Sequence, residues 1–131
     1  MSCMTGYARS RMGLPRLVER AVLDRSARRK SLDIVRCDSF DHAACGRSFT
    51  YWIRRFGYPL DGCSRAAENI AWGSGSFATV RSIFSTWMRS PGHRANILGS
   101  GYRDLGVGLK IGTLDGNRGA HVWTQHFAAH C

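Results

Sequence analysis

Glu68 is one of only two glutamates in the chain, the other being Glu19. It is embedded in an apolar stretch, with Ala66-Ala67 before it and Ile70-Ala71 after it. A carboxylate in such surroundings needs a hydrogen-bonding partner or a raised pKa. It is therefore the first residue to consider for chemistry, as a general base or as a group that orients something else. His93 is the second. It follows Pro91-Gly92, read here as the stop of the preceding helix, and that stop would aim its ring into a cleft. Familiar enzyme templates do not fit. Ser90 follows Arg89 and has no nucleophile elbow around it. The sequence contains no H-E-x-x-H. A general base without a nucleophile or an oxyanion donor is a thin basis for catalysis.

The elements that must position these residues are legible in part. Ala8 to Met12 reads as the tail of a helix, ended by Gly13 and Pro15. Val22 to Val35 reads as an amphipathic helix with Leu23, Ala27, Ile34 and Val35 on one face. Cys37 to Gly46 reads as a loop. Ser48 is placed to cap a short helix carrying Phe49, Trp52, Ile53 and Phe56. Arg65 to Trp72 reads as a strand or an irregular segment, and Gly73 to Gly75 as a turn. Ser76 is placed to cap a helix with Val80, Ile83, Phe84, Trp87 and Met88. Leu105, Val107 and Leu109 alternate as in a half-buried strand, Asp115-Gly116-Asn117 is a turn signal, and Ala120 to Phe127 is the partner strand. Helices come early and a hairpin late, so the class is α+β in one domain spanning residues 1–131.

Composition narrows the partners. The net charge is +10, and 17 of the 19 basic residues are arginines, since only Lys30 and Lys110 are lysines. The densest group is Arg25, Arg28, Arg29 and Lys30 on one helix; the rest are scattered. This reads as a solvated basic surface that meets anionic envelopes or polymers through net charge. Nucleic-acid binding is not favoured, because such proteins usually mix Lys with Arg and concentrate them. No apolar run reaches the roughly 18 residues of a membrane span.

Cys3, Cys37, Cys45, Cys63 and Cys131 contain no C-x-x-C pair, which disfavours a zinc ribbon or a thioredoxin-like site. Four widely spaced cysteines and one extra read as two disulfides and a leftover thiol, implying an oxidising compartment. The N-terminus, MSCMTGYARSRMGLP, has no hydrophobic signal core. Two readings stay open: an export signal upstream of this start, or reduced cysteines. Cys37 and Cys45 are expected to pair, because they flank Phe40-Asp41-His42 in a short loop. Cys63 and Cys131 are the expected second bridge.

Six motifs then occur in order across roughly residues 9 to 127. Gly13-Leu14-Pro15-Arg16-Leu17 and Phe40-Asp41-His42 come first. Ala67-Glu68-Asn69-Ile70-Ala71-Trp72-Gly73 follows, then Trp87-Met88-Arg89-Ser90-Pro91-Gly92-His93-Arg94-Ala95-Asn96-Ile97-Leu98. Leu105-Gly106-Val107-Gly108-Leu109 and Trp123-Thr124-Gln125-His126-Phe127 close the series. Together they resemble the CAP superfamily of cysteine-rich secretory proteins, antigen 5 and pathogenesis-related proteins, in its bacterial SCP-like branch. The resemblance implies a three-layer α-β-α sandwich and a secreted or envelope-associated protein. The family's first helix normally extends further upstream, so a truncated start is expected. The resemblance also implies a cleft with His42, Glu68 and His93, with Ser90 where the family has a second acid, and with Asn69 beside Glu68. It allows zinc on His42 and His93.

Three functions follow as expectations. The first is a non-enzymatic domain binding a lipid, a cell-wall fragment or a protein partner at the His-Glu-His cleft. The second is a metal-dependent hydrolase of peptides or envelope polymers with Glu68 as base. The third, a basic nucleic-acid binder, has the weakest support. Trp72, Trp87 and Trp123 are expected in the core, Arg94 and Asn96 in structural roles, and His121, His126 and His130 as surface or satisfied histidines.

Overall fold

The computed structural model describes residues 1–131. The chain runs α1 (Ser2–Arg11), β1 (Val18–Glu19), α2 (Ala21–Arg36), α3 (Thr50–Arg55), β2 (Arg65–Gly73), α4 (Val80–Arg89), α5 (Pro91–Ile97), β3 (Asp104–Leu114) and β4 (Asn117–Ala129). The sheet order is β1-β3-β4-β2. β3 and β4 form the expected hairpin, and β2 pairs antiparallel with β4 at the sheet edge. Asp115 and Gly116 make the two-residue turn with φ of 48° and 74°, both in the left-handed region that a type I′ turn requires.

Strand alternation divides β2 and β4 between two layers. On one side Ile70, Val122, Ala120 and Leu114 pack against Ile34 of α2, and Ala128 packs with Leu23 and with Ile53 of α3. On the other side Ala71, Leu105 and Phe127 pack against Ile83, Phe84 and Trp87 of α4 and Ile97 of α5. Helices thus cover both faces, the three-layer α-β-α sandwich of the α+β class. Gly106 and Gly108 explain the spacing of their motif: a Cβ on either would stand 2.1–2.2 Å from the α2 backbone at Leu23 and Ala27, so α2 sits directly on β3.

The helix tail expected at Ala8 to Met12 is the end of α1, which begins at Ser2. Several other local expectations are corrected. Ser48 does not cap α3; Phe49 occupies the N-cap position without a side-chain bond. Ser76 lies inside a 3-10 turn, and Thr79 caps α4 by accepting from the Ser82 N–H at 3.2 Å. Pro91-Gly92 does not end helicity. Ser90 closes α4 and Pro91 opens α5 at its first position, where a missing N–H is harmless. Lys30 is not on the basic surface; it is 1% exposed, on the same stripe as Leu23, Ala27 and Ile34. Trp87 is fully buried, whereas Trp72 and Trp123 are half-buried. Both expected disulfides are present, with Cα–Cα distances of 5.6 Å for Cys37–Cys45 and 6.0 Å for Cys63–Cys131. Cys3 is free and exposed.

Candidate functional site

Glu68 lies on the face of β2 that looks toward α2, and its cross-strand neighbour on β4 is His126. Both carboxylate oxygens are engaged. His42 Nδ1 stands 2.6 Å from Oε1, and His126 Nε2 stands 2.8 Å from Oε2. An ionised carboxylate only accepts, so each of these nitrogens carries the proton. Beyond Glu68, the His126 Nδ1 lies 2.7 Å from Ser26 Oγ on α2. Lys30 Nζ is 4.0 Å from Oε1 and donates to the His42 carbonyl. The result is a buried ionic layer between α2 and the sheet. His42 is its opening to solvent, with a side chain 56% exposed against 1% for Glu68 and 0% for His126.

The electrostatics follow from this packing. Burial pushes the Glu68 carboxyl up, but hydrogen bonds from His126 and His42 and the charge of Lys30 outweigh it and hold the group below its ordinary value. The Glu68 hydrogen bond raises the pKa of His42 despite partial burial. Burial lowers that of Lys30, opposed by Glu68, Asp33 and Asp41. The loop holding His42 is fixed by the Cys37–Cys45 bridge, by the Lys30 contact, and by Asp41 Oδ1 accepting from the Ala43 N–H at 2.5 Å.

His93 approaches from the other layer. It sits in the first turn of α5, with Nδ1 2.9 Å from Ser90 Oγ. Burial lowers its pKa, and the positive charge of His42 lowers it further, so the two rings share one field. Each ring is anchored through Nδ1, which leaves Nε2 of both without a protein partner. Between the layers, over the edge of β2, lies a cleft of about 220 Å³ lined by Phe40, Ile70, Ala71, Trp72, Thr86, Trp87 and His93. The β2 edge beneath it is partly sealed: Trp87 Nε1 donates to the Ile70 carbonyl at 3.1 Å, and Asn96 Nδ2 reaches the Glu68 carbonyl at 3.4 Å.

Of the residues expected at the site, His42 and Glu68 are in direct contact, and Ser90 and His93 are in direct contact. Asn69 is placed elsewhere. Its side chain leaves the opposite face of β2, is 0% exposed, and donates to the His93 carbonyl at 3.2 Å and to Gln125 at 3.4 Å. Asn96 Nδ2 donates to the side-chain Oδ1 of Asn69 at 2.9 Å, so these amides tie β2 to α5. His126, expected as a surface or satisfied histidine, is the satisfied kind, buried with both ring nitrogens hydrogen-bonded; its contact with Glu68 was not foreseen. His121 is half-buried and His130 exposed.

The Cysteine-rich secretory protein family (CAP) model matches residues 4–127. The uncharacterized protein YkwD of Bacillus subtilis (strain 168) is 35% identical over 126 residues, covering 95% of this chain and 44% of its own length. The chain therefore spans less than half of that relative. Among solved structures, an extracellular protein containing a SCP domain from Bacillus anthracis str. Ames matches with TM-score 0.81 and 25% identity, over 98% of this chain and 39% of its own. An outer surface protein from Borrelia burgdorferi matches with TM-score 0.83 over 99% of this chain and 90% of its own; at 15% identity the likeness is one of fold.

Proposed function

Because this chain belongs to the CAP (cysteine-rich secretory protein) family, we propose that it works in the secreted or envelope-associated setting of its relatives as a non-enzymatic binding domain for a small amphiphile. The observation that carries this reading is the pairing of an apolar cleft with two imidazoles whose Nε2 atoms are uncommitted. Phe40, Ile70, Trp72 and Trp87 accept an apolar group, and His93 stands at the cleft wall as a neutral acceptor or donor. His42, with its raised pKa, supplies positive charge for an anionic head. The volume is below the usual range of about 300–1,000 Å³ for drug-sized ligands, which favours a short acyl or alkyl portion. A lipid or an amphiphilic envelope fragment fits better than a protein partner, whose docking would need a wider face. Two disulfides fit an oxidising compartment.

The test uses a soluble probe. Dihexanoyl phosphatidic acid titrated into the whole chain should change the tryptophan fluorescence and saturate. Phe40→Ala and His42→Ala should each weaken binding by tenfold or more. Absence of saturable binding by that probe and by its neutral choline analogue removes the reading.

The second reading, a metal-dependent hydrolase, rests on the same Nε2 atoms. Zinc would be held by His42 and His93, with Glu68 as the carboxylate behind His42 that fixes its tautomer. The residues fit zinc only as an open two-histidine site, because no group of three or more His, Cys, Asp or Glu side chains is placed to hold a metal. Glu68 is not free to be the base in such an enzyme: both oxygens are occupied and the side chain is 1% exposed. That is why binding is preferred over hydrolysis.

A further inference from the structure

The exposed side of α2 and α3 carries a feature that the cleft does not use. Arg29 lies over the Trp52 ring at 4.9 Å from its centroid, and Arg47 over the same ring at 5.3 Å. Arg47 also covers Tyr51 at 5.5 Å, Arg25 covers Phe56 at 5.6 Å, and Trp52 stacks on Phe56 at 5.6 Å. The contacts run on without a break, because Tyr51, Arg54 and Arg55, with the hydroxyls of Ser48 and Thr50, line an open depression of about 400 Å³.

Negative charge is nearly absent from this face. The arginines of the whole chain that pair with acids are Arg20, with Asp104, and Arg47, with Asp33. Asp33 itself is buried and already receives the Trp52 indole N–H at 2.6 Å. Arg25, Arg28, Arg29 and Arg55 have no carboxylate partner. The Nε of Arg29 is buried without any partner, so ring stacking rather than an ion pair positions that guanidinium. With Nε covered, the terminal N–H groups of Arg29 are the donors it can offer, and guanidinium N–H groups match phosphate geometry.

We infer that this face is a docking track for a linear phosphodiester polymer without bases, of the kind that bacterial envelopes carry. The rings decide among polyanions. Guanidinium groups lie over the rings of Trp52, Phe56 and Tyr51, and of these only Tyr51 is exposed, which leaves little ring surface for base stacking and so disfavours single-stranded nucleic acid. The same stacking ties the aromatic groups down, whereas a membrane-binding face would leave them free to enter the interfacial layer. What remains outward is a row of donor edges, about one helical turn apart between Arg25 and Arg29. The track is independent of the cleft.

The experiment titrates the whole chain with poly(glycerol phosphate), with phosphatidylglycerol vesicles, and with a single-stranded oligonucleotide. Poly(glycerol phosphate) should bind best. If four phosphates are engaged, its affinity should fall about 50-fold between 50 and 200 mM salt, from a slope of roughly −0.7 per contact. The quadruple variant Arg25→Gln, Arg28→Gln, Arg29→Gln, Arg55→Gln should lose nearly all binding and most of the salt slope. A charge-matched control, Arg11→Gln, Arg16→Gln, Arg81→Gln, Arg118→Gln, should retain both; these four are exposed and lie away from the face. Arg29→Lys keeps the charge and loses the planar stack, and should bind several-fold more weakly. Equal losses in the two quadruple variants, or tighter binding to vesicles or oligonucleotide, would overturn the inference. A lysine variant that matches the wild type would overturn the role of stacking.

Discussion

Glu68 and Asn69 are neighbours in sequence, both are buried, and both are polar, yet they serve opposite layers. Glu68 faces α2, where its carboxylate holds His42, His126 and Lys30 in a network that reaches solvent through one imidazole. Asn69 faces α5, where it joins the amides of Asn96 and Gln125 in a network of neutral groups. The amide side links elements without carrying charge. The carboxylate side carries charge that a change of pH, a ligand or a substitution can disturb. One strand thereby supplies a fixed support and a responsive site from adjacent residues.

Removing each residue separates the two. Glu68→Ala should destabilise by about 3–5 kcal/mol, because it removes the main counter-charge of the buried Lys30 and the shared partner of His42 and His126. Asn69→Ala should destabilise by about 1–3 kcal/mol, the loss expected for buried hydrogen bonds of neutral groups. Denaturant unfolding at neutral pH measures both. The two should also part in acid. The folded-state pKa of Glu68 is depressed, so its contribution is present above the ordinary value of 4.5 and is lost as pH falls through the folded value. Asn69→Ala should keep that acid transition and Glu68→Ala should lack it. Equal costs, or equal acid limbs, would erase the contrast.

This contrast was only half legible in the sequence. The apolar stretch around Glu68 marked a carboxylate in need of partners, and the α2 and hairpin periodicities placed the layers. The contact of His126 with Glu68 was not legible because β2 and β4 are separated by two helices and another strand, and no local signal fixes the register between them. Opposition of Glu68 and His126 follows only once that register is known. Lys30 was read with its arginine neighbours as solvated, although its spacing from Ala27 and Ile34 sets it on the buried stripe. Pro91 was ambiguous for a physical reason: a residue that cannot continue one helix is well suited to begin the next. Ser76 has the hydroxyl of a cap, but the 3-10 turn at Gly75–Ala78 takes it up, and the N-cap position falls to Thr79.

A smaller effect concerns how the loop of the charged layer is held. Cys37–Cys45 closes a loop of sequence separation 8 around His42. Cys45→Ser should cost about 2–3 kcal/mol in the chain-entropy model. It should also release His42 from Glu68 for part of the time, so the His42 pKa should move back toward its ordinary 6.5. Replacing Cys131 should cost more, about 4 kcal/mol from its longer loop, and leave His42 unmoved. Thermal unfolding together with histidine proton NMR separates stability from site geometry.

The smallest expected effect tests whether the two layers meet at one site. His93 has a lowered pKa, first from burial and then from the charge of His42 across the cleft. Its neutral form is favoured by folding, so its contribution is present above the ordinary 6.5 and is lost as pH falls through the folded value. For His42 the sign is reversed: its raised folded pKa makes its contribution full below 6.5 and lost as pH rises through the folded value. His42→Ala should therefore raise the His93 pKa modestly, by removing a like charge, while burial keeps it below 6.5. Ser90→Ala removes the hydroxyl 2.9 Å from Nδ1 but neither source of the shift, so it should leave the His93 pKa depressed and change mainly the orientation of the ring. NMR titration of the His93 ring proton in the wild type and both variants reads this directly. A His93 titration indifferent to His42 would mean that the rings do not share a field, and that the charged layer and the α5 layer act as two sites.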